Sequence, residues 1–185
     1  MSKMLLNPQV LKVLEDFSSD YHRKIYGRQI AVKHKMNQKT VSNILNRLEE
    51  DNIVKFSQEG KNKYYYLNIN SPDIKEVIKF VEIGKKIRFL TKYRKLRPLF
   101  EKIEQRAKGT VVIFGSYASL SAADKSDLDI FAIGQLSEVH DLEELYSVKI
   151  NIVRSERKKF DTKQPLVIEV LKNHIVLKGL EEFIE

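Results

Sequence analysis

Residues 114–133 read FGSYASLSAADKSDLDIFAI. Thr110-Val111-Val112-Ile113-Phe114 enters this stretch as a short apolar strand and runs straight into Gly115-Ser116-Tyr117-Ala118. Ten residues separate Ser116 from Asp127. The run Ser126-Asp127-Leu128-Asp129-Ile130-Phe131-Ala132-Ile133 alternates enough to be a second strand, beginning at its two aspartates. Alternation puts Asp127 and Asp129 on one side of that strand, about 6–7 Å apart along the backbone. Two carboxylates so placed repel unless a cation sits between them. Mg²⁺ is the natural cation, because it takes oxygen ligands and shares them with substrate phosphates. The Gly-Ser turn offers backbone N–H groups and a hydroxyl to a phosphate.

Outward toward the C-terminus, Val148-Lys149-Ile150-Asn151-Ile152-Val153 reads as a further strand with Asn151 at its polar centre. A helix follows Pro165, and a helix end and short strand span Val170–Gly179. His174, alone among apolar residues, fits a structural role, and nothing separates Lys172 and Lys178 from other surface lysines.

The Gly-Ser turn, the spacer and the Asp-x-Asp pair resemble the nucleotidyltransferase superfamily of DNA polymerase β type, especially its small prokaryotic branch. The resemblance covers about residues 108–180. It implies that Gly115 and Ser116 bind nucleotide phosphates and that Asp127 and Asp129 are the catalytic metal ligands. It also implies a third carboxylate on the later strand, where this chain has Asn151. An amide offers a metal a neutral oxygen but accepts no proton from an attacking hydroxyl. Glu169 is a substitute from the following helix, against the simpler role of a surface acid.

The N-terminal seventy residues carry a different pattern. Asn7-Pro8 caps and starts a helix, with Val10, Leu11, Val13, Leu14 and Phe17 on one face. A short helix over Tyr26–Lys35 presents Ile30 and Val32, and Met36-Asn37-Gln38 turns the chain. A third helix buries Val41, Ile44, Leu45 and Leu48 and exposes Gln38, Lys39, Thr40, Ser42, Asn43, Asn46 and Arg47. Strands Ile53–Ser57 and Lys63–Leu67 follow, joined through Gln58–Asn62. One or two rings of Tyr64-Tyr65-Tyr66 fill or cover the core.

The stretch YGRQIAVKHKMNQKTVSNILNRLEEDNIVKFSQEGKNKYYYLN resembles a winged helix-turn-helix over residues 5–69. Its third helix has side chains that read base edges in a major groove, and Lys61 and Lys63 at the wing reach the neighbouring backbone. A protein-interaction module with the same polar face is the alternative.

Between the two parts, Ser71-Pro72-Asp73 starts a helix that continues through Ile74, Val77, Ile78, Val81, Ile83, Ile87 and Leu90 to about Leu96, where Pro98 breaks it. A second segment spans Pro98–Ala107. The charge run Lys85, Lys86, Arg88, Lys92, Arg94, Lys95 and Arg97 is mostly a solvated face, on a helix that also suits dimerisation.

The whole is therefore α+β: a winged helix-turn-helix at 1–70, a helical linker at 71–107, and a small mixed-sheet nucleotidyltransferase fold at 108–185. Net charge follows this division closely, at +5 over 1–70, +7 over 71–108 and −4 over 109–185. Basic surface suits nucleic acid, and clustered carboxylates suit divalent cations. The absence of cysteine excludes disulfides, thiol nucleophiles and thiolate zinc sites, and four scattered histidines mark no metal centre. No apolar run has membrane-spanning length, and MSKMLLNPQ is too short for a secretory signal. The expected protein is cytoplasmic and homodimeric. It is a double-stranded-DNA-binding regulator that holds a nucleoside triphosphate with Mg²⁺ and has a possible transfer activity. The alternatives are an enzyme that modifies a protein or RNA acceptor and a fusion whose degenerate site binds nothing.

Overall fold

The computed structural model describes residues 5, 7–156 and 164–184. Most of the N-terminal stretch weighed as a signal segment lies outside them. The chain divides into two compact units, Met1–Val81 and Glu82–Glu185.

In the first unit, α1 (Pro8–Glu15) opens where Asn7 accepts a hydrogen bond from the Gln9 amide, with proline in the first turn. Strand β1 (Ile25–Tyr26), not foreseen in the sequence, precedes α2 (Gly27–His34). Val32, expected inside, is 71% exposed; Ile30 and Ala31 form the buried face of α2. Left-handed Lys35 ends this helix, and Asn37 caps α3 (Gln38–Glu50) by accepting from the Lys39 amide. Val41, Ile44, Leu45 and Leu48 are all buried, as the helical spacing requires. Strands β2 (Val54–Glu59) and β3 (Asn62–Leu67) pair antiparallel, and β1 adds to β3 in the order β1-β3-β2. The hairpin is tighter than expected: only Gly60 and Lys61 lie outside the strands. Gly60, at φ +61, takes the positive-φ position of a two-residue turn. Of the three tyrosines only Tyr65 is buried.

Helix α4 (Ile74–Lys92) starts three residues later than Ser71, which sits in a preceding turn. The division between units falls within it. Ile74, Val77, Ile78 and Val81 are buried, but Ile83 and Ile87 face solvent. The buried side continues instead through Glu82 and Phe89. A 3₁₀ turn, Arg94–Leu96, separates α4 from α5 (Arg97–Arg106). The long helix thus ends before Pro98, a little short of the expected Leu96, and Pro98 lies in the first turn of the expected second segment.

In the second unit, β4 (Ala107–Phe114) leads into α6 (Gly115–Ala118), then β5 (Leu128–Leu136), α7 (His140–Tyr146), β6 (Ile150–Ser155), α8 (Pro165–Lys172), β7 (Ile175–Lys178) and α9 (Leu180–Phe183). The four strands form one mixed sheet in the order β6-β5-β4-β7. Strand β5 runs antiparallel to β4 and parallel to β6. Ile113, Leu128, Ile130 and Ile150 face a large core shared with Phe89, Leu99, Phe100 and Ile103. Val112 and Phe131 face the other side, against Val167 and Val170 of α8.

Two members of the expected solvated charge run are turned inward. Lys85 pairs with buried Glu82 at 2.8 Å and lies 2.9 Å from His174 Nε2. His174 Nδ1 donates to the Leu171 carbonyl at 2.9 Å. Burial by itself would push Glu82 up, but His174 and Lys85 outweigh it and hold its carboxyl at about 2. Lys86 pairs with Glu104 at 2.9 Å. Lys178 donates to the Glu104 and Ala107 carbonyls. These cations hold the second unit together.

Candidate functional site

Strand β5 begins at Leu128, so Asp127 is the last residue before it and Asp129 the second within it. Asp129 lies opposite Phe114 on β4 and Asn151 on β6. Alternation puts Asp129 on the same sheet face as Phe131, away from the large core.

The three polar side chains form one cluster. Asn151 Nδ2 donates to Asp129 Oδ1 at 3.0 Å and to Asp127 Oδ2 at 3.3 Å. Lys149 Nζ donates to the same Asp127 oxygen at 3.1 Å. An unrelieved carboxylate pair raises its members' pKa values. Here the hydrogen bonds from Lys149 and then Asn151 hold Asp127 below the ordinary aspartate value. The chain itself supplies the positive partner that the sequence left to a metal.

Gly115 sits against this cluster. At φ +67 it occupies the left-handed region, and a Cβ built there would collide with Asp129 Oδ2. The glycine therefore serves two ends: the turn out of β4 and room for the carboxylate. The Ser116 carbonyl is held by the Ser121 amide at 2.9 Å and the Ser119 hydroxyl at 3.1 Å. The Ser116 hydroxyl has no hydrogen-bond partner among the described residues. Gly115, Ser116, Asp127 and Asp129 thus gather around one corner of the sheet. Glu169 does not join them; its carboxylate bonds Lys172 at 2.9 Å on the same exposed helix. Lys149 and the direct Asn151 bridge escaped sequence reasoning. Their strand register, with Asn151 level with Asp129, was the available signal.

Among the described residues no group of three or more His, Cys, Asp or Glu side chains gathers as a metal cage. Two carboxylates beside an open glycine turn still fit Mg²⁺ chemistry, which completes its shell with phosphate oxygens and water.

The first unit presents a second candidate surface. Gln38, Lys39, Ser42, Asn43, Asn46 and Arg47 are exposed on α3, and Thr40 is half-buried. Asn46 accepts a long bond from the Tyr65 hydroxyl at 3.5 Å. Lys61 and Lys63 are exposed at the hairpin, where Lys63 Nζ stands 4.0 Å above the Phe56 ring.

No protein-family profile matches the chain. No curated protein matches it. Among solved structures it is similar to the homodimeric winged helix-turn-helix DNA-binding domain, fragment 1–100, of a possible ArsR-family transcriptional regulator from Mycobacterium bovis. That similarity has 24% identity and a TM-score of 0.37, over 45% of this chain and 72% of the other. Among the described residues no helix is long and apolar enough to cross a membrane.

Proposed function

We propose that the chain is a cytoplasmic DNA-binding transcription regulator whose second unit, a nucleotidyltransferase-like domain, holds a nucleoside triphosphate with Mg²⁺. One observation carries the DNA half. The outer face of α3, up to Arg47, carries only amide, hydroxyl and cationic groups, followed by a hairpin with two exposed lysines. Such a helix start reads base edges, while Lys61 and Lys63 meet phosphates. Proteins of this kind read two half-sites as dimers, and Ile83 and Ile87, exposed one turn apart on α4, offer an apolar strip to a second copy.

In the second unit, Asp127 and Asp129 would hold Mg²⁺, with phosphates at the Gly115-Ser116 turn. Mg²⁺ so bound would neutralise phosphate charge. Ser116 supplies an unengaged hydroxyl, and Gly115 keeps side-chain bulk away from the backbone. Lys149, 69% exposed, is free to leave Asp127 and meet a phosphate oxygen. Asn151 positions both aspartates but takes no proton, which weighs against strong transfer activity. The alternative is an enzyme first, with the winged helix recruiting a protein or RNA acceptor; the paired aspartates favour it.

Thermal unfolding of the full chain tests the nucleotide half. Mg²⁺ with one of ATP, GTP, CTP or UTP should raise the midpoint, by mass action, where either alone does little. Ligand at a hundred times its Kd contributes about 2.7 kcal/mol. Asp127→Asn with Asp129→Asn should remove the shift. No Mg²⁺-dependent stabilisation by any of the four would sink the nucleotide half and leave the DNA half standing.

A further inference from the structure

Most of the charge run along residues 85–97 has a structural assignment. Lys85 and Lys86 face the interior of the second unit, Lys92 Nζ donates to the Leu120 carbonyl, and Arg97 pairs with Glu101. Arg94 and Lys95 are different. Both are exposed, and neither has a hydrogen bond or ion pair among the described residues. Both line a cavity of about 470 Å³, with Tyr93, Tyr117, Asp124 and Tyr146 also in its wall. Asp124 is the one acidic side chain in that wall.

The aromatic wall is built. Tyr93 and Tyr117 pack with ring centroids 4.9 Å apart, and the Tyr93 hydroxyl accepts the Ala122 amide at 3.3 Å. Tyr117 is only 4% exposed, yet its hydroxyl has no hydrogen-bond partner among the described residues. The hydroxyl keeps contact with solvent and is a donor that a ligand's acceptor can take. Burial first, then Tyr93, Asp124 and Asp127, push that hydroxyl's pKa up, so it remains a donor at neutral pH. Ser147 in the wall has φ +53, an uncommon backbone state for a non-glycine residue.

The geometry points to a second ligand site in this cavity, for a nucleoside phosphate. The base packs on the tyrosine wall and accepts from Tyr117, and the phosphate meets Arg94 and Lys95. The cavity volume suits one nucleotide. Aromatic faces accept any base, and paired cations suit a phosphate. Its tyrosines belong to the core on the sheet face opposite Asp129, so the site needs neither Mg²⁺ nor the Asp129 carboxylate. The same chemistry comes from a free nucleotide or from the end of a single strand.

Isotope-labelled full chain, kept in EDTA, is titrated with uridine 5′-monophosphate, tetrauridylate, ribose 5-phosphate and inorganic phosphate while amide shifts are followed. The uridine ligands should move amides within 92–96, 117–124 and 146–148. Arg94→Glu with Lys95→Glu should weaken them at least tenfold and Tyr117→Phe severalfold. Lys61→Ala with Lys63→Ala, and Asp129→Asn alone, should leave them unchanged. Ribose 5-phosphate should bind at least tenfold more weakly than the nucleotide. Tetrauridylate at least tenfold tighter than the monophosphate assigns the site to a strand end; equal affinity assigns it to free nucleotide. The proposal is overturned if the uridine ligands move none of these amides. It is equally overturned if the charge reversals change nothing, or if ribose 5-phosphate or phosphate alone binds as tightly as the nucleotide.

Discussion

Replacing Gly115 by alanine tests the geometry at the heart of the aspartate site. Two costs arise. A β-carbon at φ +67 meets the left-handed penalty of about 1–2 kcal/mol. The same carbon collides with Asp129 Oδ2, so the carboxylate must swing away from Asn151. Losing that 3.0 Å hydrogen bond to a charged acceptor costs about 1–2 kcal/mol more, the lower range being apt for a half-buried group. Urea unfolding of the full chain should therefore show the second unit weakened by about 2–4 kcal/mol. Gly60→Ala is the internal control. At φ +61, with open space around its β-position, it should show the left-handed cost alone. A double-mutant cycle isolates the collision: in an Asp129→Ala background, Gly115→Ala should cost only the left-handed share. A Gly115→Ala loss no larger than that of Gly60→Ala, with no coupling to Asp129, would refute the close approach.

Asn43→Ala should change base preference at one operator position by about 1–3 kcal/mol in a binding selection, with the salt dependence of affinity unchanged. Glu82→Gln should destabilise the second unit by about 3–5 kcal/mol in denaturant unfolding, because Lys85 and His174 lose their buried anion. Glu82 has its pKa lowered from the ordinary 4.5 to about 2 on folding, so its contribution is full above pH 4.5 and disappears as pH falls toward 2. The wild type should lose stability through that window, and the glutamine variant should lose less. Asn151→Asp should lower apo stability, since a third carboxylate replaces the shared donor, and should deepen the Mg²⁺-dependent rise in midpoint. The same change should create or raise nucleotidyl transfer in a labelling assay; strong labelling by the wild type would show that Asn151 is no obstacle.

Periodic apolar residues made much of the fold legible. The stripe Val41, Ile44, Leu45 and Leu48 and the alternation through Asp129 and Phe131 each report a face directly, because burial on one side imposes the period. Strand β1 is two residues long and leaves no period to detect. In α4 the apolar residues Ile83 and Ile87 suggested a face that the chain does not bury. The true inner side carries Glu82, Lys85 and Lys86, and hydropathy cannot tell a buried, paired charge from a solvated one. At the aspartate corner, residue types and spacing placed Gly115, Ser116, Asp127 and Asp129 together. The roles of Lys149 and Asn151 required the parallel register of β5 and β6, which joins strands distant in sequence.

The proposed DNA-binding role meets its most direct test in the affinity of the full chain for duplex DNA across a range of salt concentrations. Binding should be measurable at low salt, and log affinity should fall linearly with log salt, by about 0.9 per phosphate neutralised. Removing Lys61 and Lys63 together should lower that slope by about 2 and weaken all duplexes alike. No affinity for any duplex at low salt, or a slope that keeps its value without those two lysines, would contradict DNA binding through α3 and the hairpin.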